Sequence, residues 1–180
     1  MLGNKKIAMK IFTETPRLIL RELVATDDKG MFELDSNAEV LKYLYTEPLT
    51  KIEQSQDVIA FIRKQYEENG IGRWAVIEKK SGDFMGWAGL KLVKQTINNR
   101  TNYYDVGYRL IPRYWGRGYA TETCKASVDY GFNKLKLDLI CATASMHNLP
   151  SRKVLEKTGL TFVEEFLYDG QPEAWYEIRK

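Results

Sequence analysis

The hydrophobic period of the chain changes twice between residues 103 and 144, and this limits the possible folds more than any other feature. Tyr103 to Ile111 reads as a strand. From about Tyr119 to Asn133 the apolar positions Ala120, Cys124, Val128 and Phe132 recur every four residues, as on one face of a helix. Leu137 to Ala144 is then a short apolar strand. A strand, helix, strand crossover of this length favours parallel neighbours. Upstream the strands connect differently. Arg73 to Glu78 and Phe84 to Leu92 flank Lys79-Lys80-Ser81-Gly82-Asp83, which predicts a hairpin with a short Gly-containing loop. The strand from Tyr103 follows across a polar stretch, Gln95 to Asn102. Locally paired strands followed by a crossover imply a mixed sheet.

The remaining segments fit around that sheet. Arg17 to Leu23 partly alternates after Pro16 and reads as a strand entering the fold, with residues 1–14 as a short lead-in. Thr26-Asp27-Asp28 places a cap and two acids at a helix start, with Met31, Phe32 and Leu34 on its apolar side. Thr50-Lys51-Ile52-Glu53 fits a capping box, and Val58, Ile59, Ile62 and Tyr66 follow at helical spacing until Gly70. Asn148-Leu149-Pro150-Ser151 opens a last helix, because Pro is tolerated in the first turn, and Gly159 closes it. Leu160 to Leu167 and Ala174 to Arg179, separated by Asp169-Gly170, form a final hairpin.

At 180 residues the chain is long enough to bury about 70% of its unfolded surface in one domain, residues 1–180. With 44% hydrophobic and 28% charged residues it is not a disordered or low-complexity chain. No apolar run nears the roughly 18 residues of a membrane span. Lys10 interrupts the apolar residues behind the basic opening before a signal-peptide core forms, so a soluble, cytoplasmic protein is expected. The 27 Lys and Arg are dispersed among 24 acids, a net charge of +3 that gives no nucleic-acid footprint. Cys124 and Cys141 lack metal or CxxC spacing and read as buried free thiols. With one histidine, His147, no metal site is expected.

The chemistry concentrates in Arg113-Tyr114-Trp115-Gly116-Arg117-Gly118-Tyr119-Ala120, between a strand and a helix. A Gly-rich turn feeding a helix N-terminus presents unpaired backbone N–H groups to one point, where the helix dipole also favours negative charge. Gly116 and Gly118 let the backbone approach a pyrophosphate, and Arg113 and Arg117 can add charge-assisted contacts. Three phosphate loops compete for this segment. A Walker A loop needs Lys and Ser or Thr after its second Gly, where Tyr119-Ala120 stands. A dinucleotide fingerprint wants Gly or Ala where Thr121 stands; Asp138, 20 residues after Gly118, keeps that reading alive, but it begins a strand instead of ending one.

The third match is to Arg113-x-x-Gly116-x-Gly118, which resembles the Arg/Gln-x-x-Gly-x-Gly/Ala loop of the GCN5-related N-acetyltransferases (GNAT). Asp105-Val106-Gly107-Tyr108, the run from Tyr114 to Glu122, and Asn148-x-x-Ser151-x-x-Val154-Leu155-Glu156-Lys157-x-Gly159 resemble the RimJ/RimL-type branch, and the resemblance spans roughly Thr15 to Arg179. It implies a single α/β (α+β) domain. Its mixed, mostly antiparallel sheet would have a V-shaped splay between two parallel strands and about four flanking helices. Acetyl-CoA would lie in the splay without a metal. Backbone groups of Leu110 and Ile111 would hold the pantetheine arm, and those from Trp115 through Gly116, Arg117, Gly118, Tyr119 and Ala120 to Thr121 the pyrophosphate. Asn148 and Ser151 would line the other wall.

The implied reaction is acetyl transfer to a primary amine, either a protein N-terminal α-amine or a small molecule. Ser151 is the expected acid at the leaving sulfur, since the last helix carries no tyrosine near Thr158, where other branches have one. Asp105, alternating with Gly107 and Arg109, either relays a proton from the amine through water or pairs with Arg109 or a loop N–H. Glu122 reads as complementing the helix dipole, and His147 as a solvated loop residue. The loop from Tyr43 to Pro48 is expected to touch the acceptor. No membrane or nucleic-acid partner is expected, and the protein would be a monomer or homodimer. The alternative is a non-catalytic module of the same fold that senses acyl-CoA and binds a protein.

Overall fold

The crossover expected after residue 103 is present, and among the described residues it makes the one parallel contact in the sheet. In the computed structural model, which describes residues 9–180, β5 (Tyr103–Leu110), α4 (Tyr119–Asn133) and β6 (Leu139–Ser145) follow one another in that way. The basic opening and most of the expected lead-in lie outside the described residues. The other strands are β1 (Ile11–Glu14), β2 (Leu18–Arg21), β3 (Trp74–Glu78), β4 (Phe84–Val93), β7 (Thr161–Tyr168) and β8 (Gln171–Arg179). All eight form one sheet in the order β1-β2-β3-β4-β5-β6-β8-β7. The helices are α1 (Asp28–Asp35), α2 (Ala38–Leu41), α3 (Ile52–Asn69), α4 and α5 (Leu149–Thr158). Among the described residues, no helix is long and apolar enough to cross a membrane.

Several elements differ from the sequence reading for local reasons. Ile11–Glu14, inside the expected lead-in, pairs as an edge strand with β2. A fifth helix, α2, is capped by the Asn37 side chain, which accepts from the Glu39 N–H at 2.9 Å. Asp27, not Thr26, occupies the N-cap position of α1, where it makes no side-chain cap bond; its buried carboxylate instead closes the preceding 3-10 turn (Ala25–Asp27), accepting from the Val24 N–H at 2.9 Å and from Arg21 at 2.7 and 2.8 Å. The α3 box sits one residue later than expected. Gln54, not Glu53, reaches back to the N–H groups of Thr50 and Lys51, at 2.8 and 2.9 Å.

Alternation along β5 divides the molecule into two sides. Tyr108 meets Ser151 of α5, whereas its neighbour Arg109 pairs with Asp35 of α1, so α5 and α1 cover opposite faces of the sheet. On the α5 side, Cys124 and Val128 of α4 pack with Val106, Leu110, Ile140 and Ala142 in the main core. Both cysteines are free and buried, and burial pushes each thiol up to about 12.

The sheet parts between β5 and β6, which pair only at Asp105 and Cys141; towards Leu110 and Ser145 the strands are not joined. The same point carries a buried ion pair. Arg73 and Asp105, each 7% exposed, bind through guanidinium and carboxylate. Arg73 Nη1 also donates to the Asp105 carbonyl at 2.7 Å and to the Gly89 carbonyl on β4. Gly107 makes room for it, since a Cβ there would lie 2.6 Å from Arg73 Nη2. Arg73→Ala would leave the Asp105 charge buried without a partner, so an expected loss of about 3–5 kcal/mol in denaturant unfolding follows. Truncating the exposed Lys64–Glu68 pair on α3 is expected to cost under about 1 kcal/mol.

Candidate functional site

The Gly-rich segment turns the chain from β5 into α4. After Leu110, a 3-10 turn (Pro112–Tyr114) and three loop residues, Trp115 to Arg117, lead to Gly118, the N-cap of α4. Gly116 and Gly118 both adopt left-handed backbone, φ 72° and 78°. A glycine cap offers no side-chain acceptor, and the first helical bond runs from the Glu122 N–H to the Gly118 carbonyl at 3.0 Å. The N–H groups of Tyr119, Ala120 and Thr121 are therefore left pointing out of the helix end. That is a receptor for an anion built from backbone alone.

Its rear is held by side chains from distant strands. Arg17 donates to the Arg117 carbonyl at 3.0 Å and to Glu122 at 2.7 Å, and its guanidinium lies 4.1 Å from the centre of the Tyr119 ring. Thr15 Oγ1 donates to the same carboxylate at 2.6 Å. Partial burial pushes the Glu122 carboxyl up, but the Thr15 and Arg17 hydrogen bonds outweigh it and hold the group below the usual carboxylate range. Tyr119 Oη donates to Glu78 at 2.7 Å. Arg113, expected to reach a phosphate, instead pairs with Glu33 of α1. Arg117 is exposed beside the loop.

The gap between β5 and β6 opens onto this helix end. The Ile111 N–H, expected to face the cofactor arm, bonds to the Met85 carbonyl on β4 at 2.9 Å. By alternation, the N–H and C=O groups of Tyr108 and Leu110 point the other way, into the gap. One is already used: the Leu110 carbonyl accepts the Trp115 indole N–H at 2.7 Å. Across the gap, Asn148 caps α5 by accepting from the Ser151 N–H at 3.2 Å. Tyr108 Oη donates to the Ser151 carbonyl at 2.9 Å and lies 3.0 Å from its hydroxyl. Burial holds the Tyr108 phenol well above its ordinary range, so it stays protonated. The sequence names Tyr108 only as part of the Asp105-Val106-Gly107-Tyr108 run and gives it no role in the site.

The opposite side of the gap is polar. Asp105 lies there but is committed to Arg73, not to the Arg109 or loop N–H partners that the sequence suggested. Arg109 is held by Asp35 at 2.6 Å. Tyr45, from the segment between α2 and α3, places its hydroxyl 3.1 Å from the Ser145 hydroxyl at the end of β6. Beside it on β8 stands Glu173, whose carboxyl burial pushes up to about 7. His147 is exposed. A cavity of about 590 Å³ lies at the other end of β5 and β6, beside Tyr103, Leu139, Arg100 and Glu177, where Arg100 is paired with Glu164 and Glu177. It is remote from the helix end. Among the described residues, no group of three or more His, Cys, Asp or Glu side chains is placed to hold a metal ion.

Comparison with known proteins agrees with this geometry. The family model described as acetyltransferase (GNAT) domain matches residues 17–161. An uncharacterized N-acetyltransferase p20 of Bacillus licheniformis is 33% identical over 85% of this chain and 83% of its own. The FsC-acetyl coenzyme A-N(2)-transacetylase of Aspergillus fumigatus is 33% identical over 88% of this chain and 69% of its own. The crystal structure of a GNAT-family acetyltransferase from Bacillus anthracis superposes with a TM-score of 0.76 at 25% identity, covering 92% of this chain and 96% of that one.

The loop glycines are required by backbone conformation, not by crowding: nothing lies within 4 Å of a Cβ built on Gly116. Gly116→Ala is accordingly expected to cost about 1–2 kcal/mol in denaturant unfolding.

Proposed function

The chain belongs to the acetyltransferase (GNAT) domain family, and we propose that it transfers an acetyl group from acetyl-CoA to a primary amine by direct attack within a ternary complex. The observation that carries this reading is the coincidence of two features. The gap between β5 and β6 exposes strand backbone, and it ends at an uncapped helix N-terminus with three free N–H groups. A long ligand with an anionic pyrophosphate and an amide-bearing arm fits that combination. The helix end and the loop from Trp115 to Thr121 would take the pyrophosphate without a metal. The remaining backbone groups of Tyr108 and Leu110 would bond the arm, and Asn148 and Ser151 would form the far wall. A relative named for acetyl coenzyme A supports the choice of donor.

When the thioester is bound, an amine adds to its carbonyl carbon, an oxyanion forms, and a thiolate departs. A free N–H on β5 suits the oxyanion. The Ser151 hydroxyl, fixed by Tyr108, suits protonation of the sulfur. Asp105 suits the origin of the gap more than the base role, because its charge is already balanced by Arg73. The acceptor class is an α-amine or a small-molecule amine, as in the RimJ/RimL-type branch, approached past Tyr45. An α-amine titrates near 8 and a lysine-type amine near 10.4, so the former demands less of a base. The compartment that fits is the cytoplasm.

Two measurements test this reading. Acetyl-CoA at about 100 times its Kd should stabilise the protein by about 2.7 kcal/mol, a rise in Tm of roughly 5–10 °C. Gly118→Asp, which sets a carboxylate against the pyrophosphate, should abolish the rise. Absence of any shift in the unsubstituted protein would overturn the assignment. Ser151→Ala should lower kcat for thiol release by about 100-fold while changing the KM for acetyl-CoA little, and an unchanged kcat removes Ser151 from the mechanism.

A further inference from the structure

The carboxylates on the face opposite α4 and α5 are almost all committed. Asp105 binds Arg73, Asp35 binds Arg109, Glu164 binds Arg100, and Glu177 binds Arg100 and the Trp175 indole. Glu173 differs. Burial is the one influence on its carboxyl, with no cation or hydrogen-bond donor among the described residues to hold it. It is half-buried on β8, in register with Ser145, the last residue of β6. Paired residues project from the same face with Cβ atoms about 4.5–5.5 Å apart. Since Ser145 also meets Tyr45, three elements converge beside the mouth of the gap: the segment before α3, the end of β6 and the start of β8.

A cavity of about 60 Å³ opens at Glu173, walled by Ile97, Thr143, Phe166 and Tyr168. That volume takes a few waters or the methylene and nitrogen at the tip of an amine. The walls are apolar or hydroxylic, and Tyr168 is the one other titratable side chain among them. An ammonium entering this space would find a single counter-charge.

We propose that Glu173 is the general base of the reaction, taking the proton from the acceptor amine as the amine attacks; this rests on the acetyl-transfer reading above. The N–C bond forms, and the nitrogen, now positively charged, gives a proton to the Glu173 carboxylate. The carbonyl re-forms as the C–S bond breaks, and the thiolate takes the proton of the Ser151 hydroxyl, which regains one from water. Glu173 then loses its proton to water, leaving an amide and a free thiol. A carboxyl titrating near 7 is well matched to this task, since half is ionised at neutral pH and it is more basic than an exposed carboxylate.

The test is the pH dependence of thiol release at saturating acetyl-CoA, with spermidine and a short peptide bearing a free N-terminus as probes. Spermidine's primary amines titrate in the lysine range, near 10.4, well apart from the enzyme group. With spermidine and the unsubstituted enzyme, log kcat/KM should rise with a slope of about two below pH 7 and about one above it. Glu173→Gln should lower kcat by about 100-fold and show a slope of about one throughout, while Glu173→Asp recovers part of the rate. Folding is controlled independently. A carboxyl whose folded pKa is raised to about 7 weakens the fold as pH climbs through the carboxylate range towards 7, so Glu173→Gln should melt no lower than the parent at pH 8. It should also keep the full acetyl-CoA stabilisation. Glu173→Gln with parental kcat and the same break near pH 7 overturns the base assignment alone. An unsubstituted enzyme that releases no thiol with either probe overturns it together with the acetyl-transfer reading.

Discussion

The site depends on β5 doing two incompatible things. It must hold β4 along its whole length and release β6 after a single rung, and the Arg73–Asp105 pair sits where the change occurs. A buried ion pair is a poor source of net stability, because desolvating both charges offsets most of their attraction. Its geometry is a better account of its value. The guanidinium bonds the Asp105 carboxylate and carbonyl on β5 and the Gly89 carbonyl on β4 together, fixing the two strands as one unit at the rung where β6 leaves. Without a rigid β5, closing the gap by further parallel pairing would satisfy the backbone groups of Tyr108 and Leu110.

The anion end of the site follows a similar logic. A helix N-terminus attracts negative charge through its unpaired N–H groups, and any side-chain cap would compete with the ligand. Gly118 removes that competition, and its left-handed φ of 78° turns the chain onto the helix axis. The acids that complement the dipole are kept behind the helix end. Glu122 is bound to Thr15 and Arg17 and leaves the front to the ligand. The chain's net charge of +3 therefore matters little here; the receptor for negative charge is a few backbone groups at one point.

What the sequence disclosed and what it withheld divide along chain distance. The bounds of α4, the Lys79–Asp83 hairpin loop and the Asn148 cap were legible because each is decided within a few residues. The β1 edge strand was hidden, since four residues against one neighbour leave no periodic signal. The site's cross-links were hidden for the same reason at longer range. Arg73 lies 32 residues before Asp105, Tyr108 lies 43 before Ser151, and Arg17 lies 105 before Glu122. Alternation did place Asp105 and Arg109 on one face, but a face is not a partner. Arg109 was free to be taken by Asp35 and Asp105 by Arg73.

That alternation also explains how one strand would serve both substrates of the proposed reaction. Successive residues of β5 point to opposite faces, so Tyr108 stands with Ser151 on the α5 side while Asp105 and Arg109 stand on the α1 side with Tyr45 and Glu173. In a continuous sheet these two sets of side chains would be separated by a layer of hydrogen-bonded backbone. The missing β5–β6 rungs remove that layer at one place. A donor thioester lying in the gap is then reachable from the α1 side by a nucleophile and from the α5 side by a proton. Proton removal and proton supply need never share a face. On the proposed reading the donor would be bound mostly by backbone, which any side-chain sequence preserves, whereas the acceptor would meet Tyr45, Glu173 and the cavity around it. On that reading the acceptor could change by substitution on one face while the groups that would bind the acetyl donor stay fixed.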